Sequence, residues 1–208
     1  MTLFGIVPSM LSPRPSAMIA PSESSTKGAW AAGIHAPIVE LSDGAILALG
    51  RGDNIDGTMP KSVTRDLGHT WAYSASGSRP LGGGQRCTLL RLREGGIFFA
   101  SFSKGMELTD AAGSKRAVRG LYAALSEDDG KTWSYRRLVT DDGSPRKFNG
   151  GAWTQEFDLG PHTAEPKGYL TSIQARNGVI HLISSALHYE FNLAWLQAPT
   201  PAEPPPVR

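Results

Sequence analysis

Cysteine is almost absent from this 208-residue chain, with Cys87 the one thiol. That excludes an internal disulfide framework and leaves the redox compartment open. Long apolar runs are missing as well. The apolar stretch 3–7 is cut by Pro8, and Pro13 and Pro15 follow. Nothing there supplies the roughly 20 apolar residues of a membrane-spanning helix. The same stretch lacks the basic start and long apolar core of a secretory signal, so the compartment is not assigned. An excess of one charge is also lacking: 21 Lys+Arg stand against 19 Asp+Glu, a formal net charge of +2. Phosphate contacts need clustered Lys and Arg, and without such clusters neither a nucleic-acid nor a membrane partner is expected.

Glycine and proline are plentiful instead, at 24 and 15 residues. Spread along the chain, they predict many tight turns and an all-β fold. Residues 1–30 carry only Arg14, Glu23 and Lys27 as charged side chains and read as an irregular leader. Residues 198–208, Ala-Pro-Thr-Pro-Ala-Glu-Pro-Pro-Pro-Val-Arg, read as a solvated polyproline tail. The folded unit is expected over residues 31–197.

Three segments of that unit share one pattern, an apolar run, a Gly-containing polar turn and a second apolar run. They are centred on Ser42-Asp43-Gly44, Arg93-Glu94-Gly95 and Ala175-Arg-Asn177-Gly178. Gly tolerates positive φ, and Asp or Asn bonds its own backbone, so each reads as a β-hairpin. A second motif alternates with the first. It reads Thr64-Arg-Asp66-Leu-Gly68-His-Thr70-Trp71, and then Ser126-Glu-Asp128-Asp-Gly130-Lys-Thr132-Trp133. In both boxes the Asp carboxylate can staple the turn, Gly takes the left-handed position and Trp plugs the strands. Asp66 and Asp128 therefore read as turn staples, not as catalytic acids. Hairpin and box recur as units of about 40–50 residues, the length of a propeller blade. Extra length is expected as loops within 104–117 and 141–167.

The boxes resemble the Asp-box, or bacterial neuraminidase repeat, and residues 33–197 resemble the sialidase-like superfamily. That resemblance implies a six-bladed β-propeller, of which this sequence covers about three to four blades. It also implies a retaining exo-α-sialidase type of glycoside hydrolase acting on terminal acidic sugars. Such enzymes hold the substrate carboxylate with three arginines and attack with a tyrosine polarised by a glutamate. Planar, permanently charged guanidinium groups suit a carboxylate, and a phenol needs a base to become a nucleophile. Other Asp-box propellers are not sialidases, so the alternative is a non-catalytic carbohydrate-binding or scaffold propeller.

Carried over residue by residue, the resemblance makes Arg51 the second arginine, at the end of an inner strand. Arg119 fits the third, with Arg116 behind it. Tyr169, in Gly168-Tyr169-Leu-Thr-Ser-Ile-Gln, takes the place of the nucleophile. His35 stands where the family carries its glutamate, a departure that makes His35 a candidate base. The first arginine and the Asp acid/base have no match upstream of residue 35, so the chain is expected to hold the second half of the propeller. Self-association would then complete the ring.

Further residues come from the sequence itself. Glu165 lies four residues before Tyr169 and is a substitute partner for it. Asp53 and Asp56 could bind substrate hydroxyls, although their spacing favours a plain turn over a Ca²⁺ loop. Arg86 follows Gly82-Gly83-Gly84-Gln85, where backbone could approach a ligand or simply link two blades. Trp153, Glu156, Asp158 and His162 share the long loop, and aromatics beside carboxylates suit sugar binding. His188 and Asn192 read either as cleft residues or as strand-end caps. His181 and His188 have no third ligand at a usable sequence spacing, so neither a metal nor another cofactor is expected.

Overall fold

Apolar runs of four or five residues closed by tight turns bury themselves only by pairing into sheets that then pack together. In the computed structural model, described over residues 33–140 and 143–202, the chain does this three times. The expected leader and residues 203–208 lie outside the described residues.

The first sheet is antiparallel in the order β1 (Ile38–Glu40), β2 (Ile46–Leu49), β3 (Pro60–Thr64), β4 (Ala72–Ala75). A short strand β5 (Gln85–Arg86) leads into the second sheet. That sheet orders β6 (Thr88–Arg91), β7 (Ile97–Thr109), β8 (Lys115–Ser126) and β9 (Tyr135–Leu138) in the same way. A hairpin follows, with β10 (Arg146–Asn149) paired to β11 (Glu156–Leu159) and the one-turn α1 (Gly151–Thr154) between them. Strand β12 (Gly168–Tyr169) returns to pair in parallel with β5. The third sheet orders β13 (Thr171–Gln174), β14 (Ile180–Ile183) and β15 (His188–Phe191), and α2 (Leu193–Gln197) follows it. The fold is all-β. Among the described residues the sheets do not close into a ring.

The first strands β1, β6 and β13 are neighbours, with β6 in the middle. The second sheet therefore has a partner on both faces, and its sequence shows it. Ile97–Ser103 and Gly120–Ser126 are buried without a break, whereas β1 and β13 alternate. Phe98, Phe99, Phe102, Leu121 and Leu125 form the centre of this core. Polar clamps join the sheets at the turn end. Arg91 donates to the Glu40 carbonyl (2.7 and 3.1 Å) and to Asp129 (2.6 Å), while Asp129 also accepts from the Ser42 amide. On the other side, Arg93 donates to the Arg176 carbonyl (2.9 Å) and its amide to Gln174 (2.9 Å).

Two stretches expected as loops contain strands, and residues 141–142 of the second lie outside the described residues. The polar stretch 104–117 continues β7 and β8 past a bulge between Ser103 and Met106, with Leu108 and Val118 buried. The stretch 141–167 contains the β10–β11 hairpin. The start of the Pro-rich tail is also not solvated: Thr200 is buried and its carbonyl accepts from the Ala111 amide (2.8 Å). The long hairpin supplies an edge for it that the sequence did not advertise.

Both boxes lie between the third and fourth strands of their sheets and superpose bond for bond. In the first, Asp66 accepts from the Thr70 amide (2.9 Å), Thr70 hydroxyl (2.6 Å) and Thr64 hydroxyl (2.7 Å). In the second, Asp128 accepts from the Thr132 amide (2.8 Å), Thr132 hydroxyl (2.6 Å) and Ser126 hydroxyl (2.8 Å). Gly68 and Gly130 have φ of +91° and +78°, a conformation in which a Cβ is strained. Trp133 packs on Phe99, with ring centroids 5.1 Å apart. The hydrogen bonds from Thr70 and Thr132 hold the Asp66 and Asp128 carboxyls down from their ordinary 3.8 to about 2.

A lowered folded pKa means that the ionised form stabilises the fold above the ordinary value. That contribution is lost as pH falls through the range from 3.8 to about 2. Thermal melts over this range are expected to show a falling midpoint. Asp66→Ala and Asp128→Ala should each lower the midpoint at neutral pH, and the double variant should flatten the acid dependence. Unchanged melts in both variants would show that the boxes are not staples.

Candidate functional site

The repeated turns crowd one end of the sheets, and the irregular connectors meet at the other. There the parallel pairing of β5 with β12 sets Tyr169 beside Arg86 and Gly168 beside Gln85. Tyr169 is 40% exposed. Its amide donates to the Ser185 hydroxyl (3.1 Å), which fixes the backbone from the β14–β15 turn. The ring has two aromatic neighbours, His35 at 5.5 Å and Trp153 at 6.3 Å between centroids. Lys167 places its ammonium 5.5 Å above the Trp153 ring. The result is an exposed aromatic wall flanked by Arg86 and Lys167.

His35 reaches this wall in a left-handed backbone conformation, φ 54°, which is uncommon outside glycine. Paired backbone hydrogen bonds between Ile34 and Arg51 hold it there. Arg51 in turn donates from Nη1 to the carbonyls of Gly82 (3.3 Å) and Gln85 (3.2 Å). It thus ties the glycine-rich connector to the first sheet, directly beside the β5–β12 pair. Gln85 is also shared with a neighbouring cavity of about 430 Å³, lined by Lys104, Arg119, Lys147, Glu156 and Asp158 among others. Arg119 is exposed, and its backbone is clamped by His162 and Ala164. Lys147 bridges Asp158 (2.9 Å) across the β10–β11 hairpin. The buried Arg116 belongs to the outer part of the long hairpin.

Four expected site residues have other tasks. Glu165 does not partner Tyr169. It is fully buried and accepts from Ser184 (2.8 Å), Tyr189 (2.8 Å) and Thr154 (3.2 Å). Gly168 makes this possible, since a Cβ there would stand 1.9 Å from the Ser184 hydroxyl. Burial pushes the Glu165 carboxyl up, and burial with the adjacent carboxylate pushes the Tyr189 phenol up. Asp53 accepts the Tyr73 hydroxyl within the first sheet's periphery, which raises that phenol to about 12. Asn192 caps α2, accepting from the Trp195 amide (2.9 Å). His188 faces His181 and Glu190 on the third sheet, and Glu190 is the third polar partner that sequence spacing alone did not reveal.

Sequence reasoning missed Lys167 and the Glu165–Tyr189 pair. The alternation Tyr189-Glu190-Phe191, with Tyr and Phe turned to the core side, is the signal that could have found the latter. Among the described residues no helix is long and apolar enough to cross a membrane. Comparison with models of known protein families and with curated proteins gives no match for the chain.

The Glu165 hub yields a prediction. Glu165→Ala strands three hydroxyl donors and is expected to cost about 2–4 kcal/mol of unfolding free energy. Glu165→Gln keeps an acceptor and should cost less. Because the carboxyl is pushed above its ordinary 4.5, its ionisation opposes folding as pH rises through the raised value. Urea unfolding across mildly acidic to neutral pH should show this decline in the parent and its absence in Glu165→Gln. Equal costs for Ala and Gln, with identical pH profiles, would refute the hub.

Proposed function

We propose that the chain contributes three consecutive blades of a sialidase-like six-bladed β-propeller, and that its connector end binds the acidic sugar of a glycan. The observation that carries this reading is the exposed Tyr169, whose ring lies beside those of His35 and Trp153, with Arg86 as its register partner and the Lys167 ammonium over Trp153. Aromatic faces stack on the apolar side of a sugar ring, and guanidinium groups pair with its carboxylate. Arg51 uses only Nη1 in contacts with the described residues, which leaves a guanidinium edge for an anion. Arg119 stands on the next cavity, joined to this end through Gln85. In the hydrolase reading the Tyr169 oxygen attacks the anomeric carbon as the glycosidic C–O bond breaks, and the aglycone leaves as the alcohol with a proton from solvent. Water then hydrolyses the sugar–tyrosine bond. His35, its ring centroid 5.5 Å from that of Tyr169, is the candidate base for the phenol.

One observation favours the second reading, a propeller that binds glycans without cleaving them. Glu165 is taken by Tyr189, so no carboxylate hydrogen-bonds the Tyr169 phenol among the described residues. The two readings part on one assay. Release of 4-methylumbelliferone from its sialoside by the full chain, lost in Tyr169→Phe, supports hydrolysis. Binding to sialylated glycans without release, weakened in Trp153→Ala and Arg86→Ala, supports recognition alone. Neither release nor binding would reject both.

An end sheet also bears on assembly. The outer face of the first sheet leaves Ile38 61% exposed. Faces of this kind pack on another blade in a closed propeller, and we assign that place to a second copy of the chain. Light scattering is expected to find an oligomer that Ile38→Lys disperses. A parent chain that stays monomeric at high concentration rejects the assignment.

A further inference from the structure

The third sheet carries a cluster that the sugar-binding reading does not use. Strands β14 and β15 are joined by a short turn whose register sets His181 directly opposite Glu190. His188 lies two residues before Glu190 on the same strand, so the pleat turns both to the same face. Three side chains thus converge from one side of one hairpin. His181 Nδ1 lies 3.0 Å from His188 Nε2 and 3.3 Å from Glu190 Oε1, and the last two atoms are 3.7 Å apart. The same atom of each residue meets both others, so the closed triangle includes a His181–His188 hydrogen bond that a bound ion would replace. The two imidazole rings stack with centroids 5.2 Å apart and 14° between planes.

We propose that His181, His188 and Glu190 form a Zn²⁺ site on the outer face of the third sheet. Zinc bound to His nitrogen and carboxylate oxygen at about 2.0–2.2 Å in a tetrahedron has ligand-to-ligand edges of about 3.4 Å. The three observed separations bracket that edge. Two imidazoles with one carboxylate suit a borderline cation such as Zn²⁺ and not Ca²⁺ or Mg²⁺, which take oxygen shells. The side chains are 31%, 47% and 60% exposed, so the ion enters from solvent and water completes its fourth position. The single thiol, Cys87, is buried elsewhere and does not compete. The bound ion ties β14 to β15, the strand that also carries Tyr189 to Glu165. Zinc binding therefore stiffens the edge strand from the face opposite the buried hub.

The test is calorimetric titration of ZnCl₂ into the full, tag-free chain after chelator treatment. One ion per chain is expected, together with a rise in the melting midpoint. Glu190→Gln and His188→Asn should each weaken binding by about 10-fold or more, at least the loss that follows from disturbing a residue behind a ligand. The double variant His181→Asn, His188→Asn should bind no zinc, while His69→Asn binds like the parent. Circular dichroism identifies any variant that has not folded, and the exposed Glu190→Gln then carries the comparison. No zinc heat in the parent, or one-site binding that survives the double variant, overturns the proposal.

Discussion

A sheet of three or four short strands cannot bury itself, and every feature of this chain follows from that constraint. Each sheet has two faces with apolar side chains and must find another sheet for each of them. The second sheet finds two and is buried through β7 and β8, so its strands read as unbroken apolar runs. The outer sheets find one each, and their first strands alternate. Face-to-face packing then needs the sheets held in one register. The arginine clamps at the turn end provide it: Arg91 reaches back to Glu40, and Arg93 reaches forward to Ala175 and Arg176. Both donate to main-chain carbonyls, and the Gln174 side chain of the third sheet adds a contact by accepting from the Arg93 amide.

The same constraint separates the two ends of the molecule chemically. At the turn end the connections are short and self-sufficient, and the boxes close on their own hydrogen bonds. At the other end the connectors have to cross between sheets, and they bring together residues remote in sequence. His35 meets Tyr169 because Ile34 pairs with Arg51, Arg51 holds the Gln85 carbonyl, and β5 pairs with β12. No single link in that sequence of contacts is local. A site at this end is therefore assembled by packing, and its precision depends on the rigidity of what lies beneath it.

This difference explains which features were legible in the sequence. The hairpins and both boxes were, because Asp43, Asp66, Asp128 and their glycines close turns within a few residues. The extended β7–β8 hairpin was not, since polar residues such as Lys104 and Glu107 mask the alternation of Leu108 and Val118. Pairing Glu165 with Tyr169 followed from their nearness in sequence. Strand β12 begins at Gly168, and the two side chains part, one inward to Tyr189 and one outward to solvent. Alternation drew Asn192 toward the site and an Asp-rich turn drew Asp53, when a helix start and a nearby phenol already satisfied them. The His181–Glu190 opposition was in principle readable, since a short turn after an alternating strand fixes the register.

The buried hub around Glu165 is what lets the exposed wall keep its shape. Thr154 from the α1 segment, Ser184 from the β14–β15 turn and Tyr189 from β15 all donate to one carboxylate. Trp153 is the residue before Thr154, and Ser185, which holds the Tyr169 amide, is the residue after Ser184. The segments that present Trp153 and hold Tyr169 are thus tied, one residue away, to the same buried acceptor. Such a network is strong only while every member is satisfied, because a buried polar group without a partner costs more than a satisfied one contributes. A change at the hub should therefore reach the wall without touching it: the geometry of Trp153 and Tyr169 is set by residues that never face a ligand.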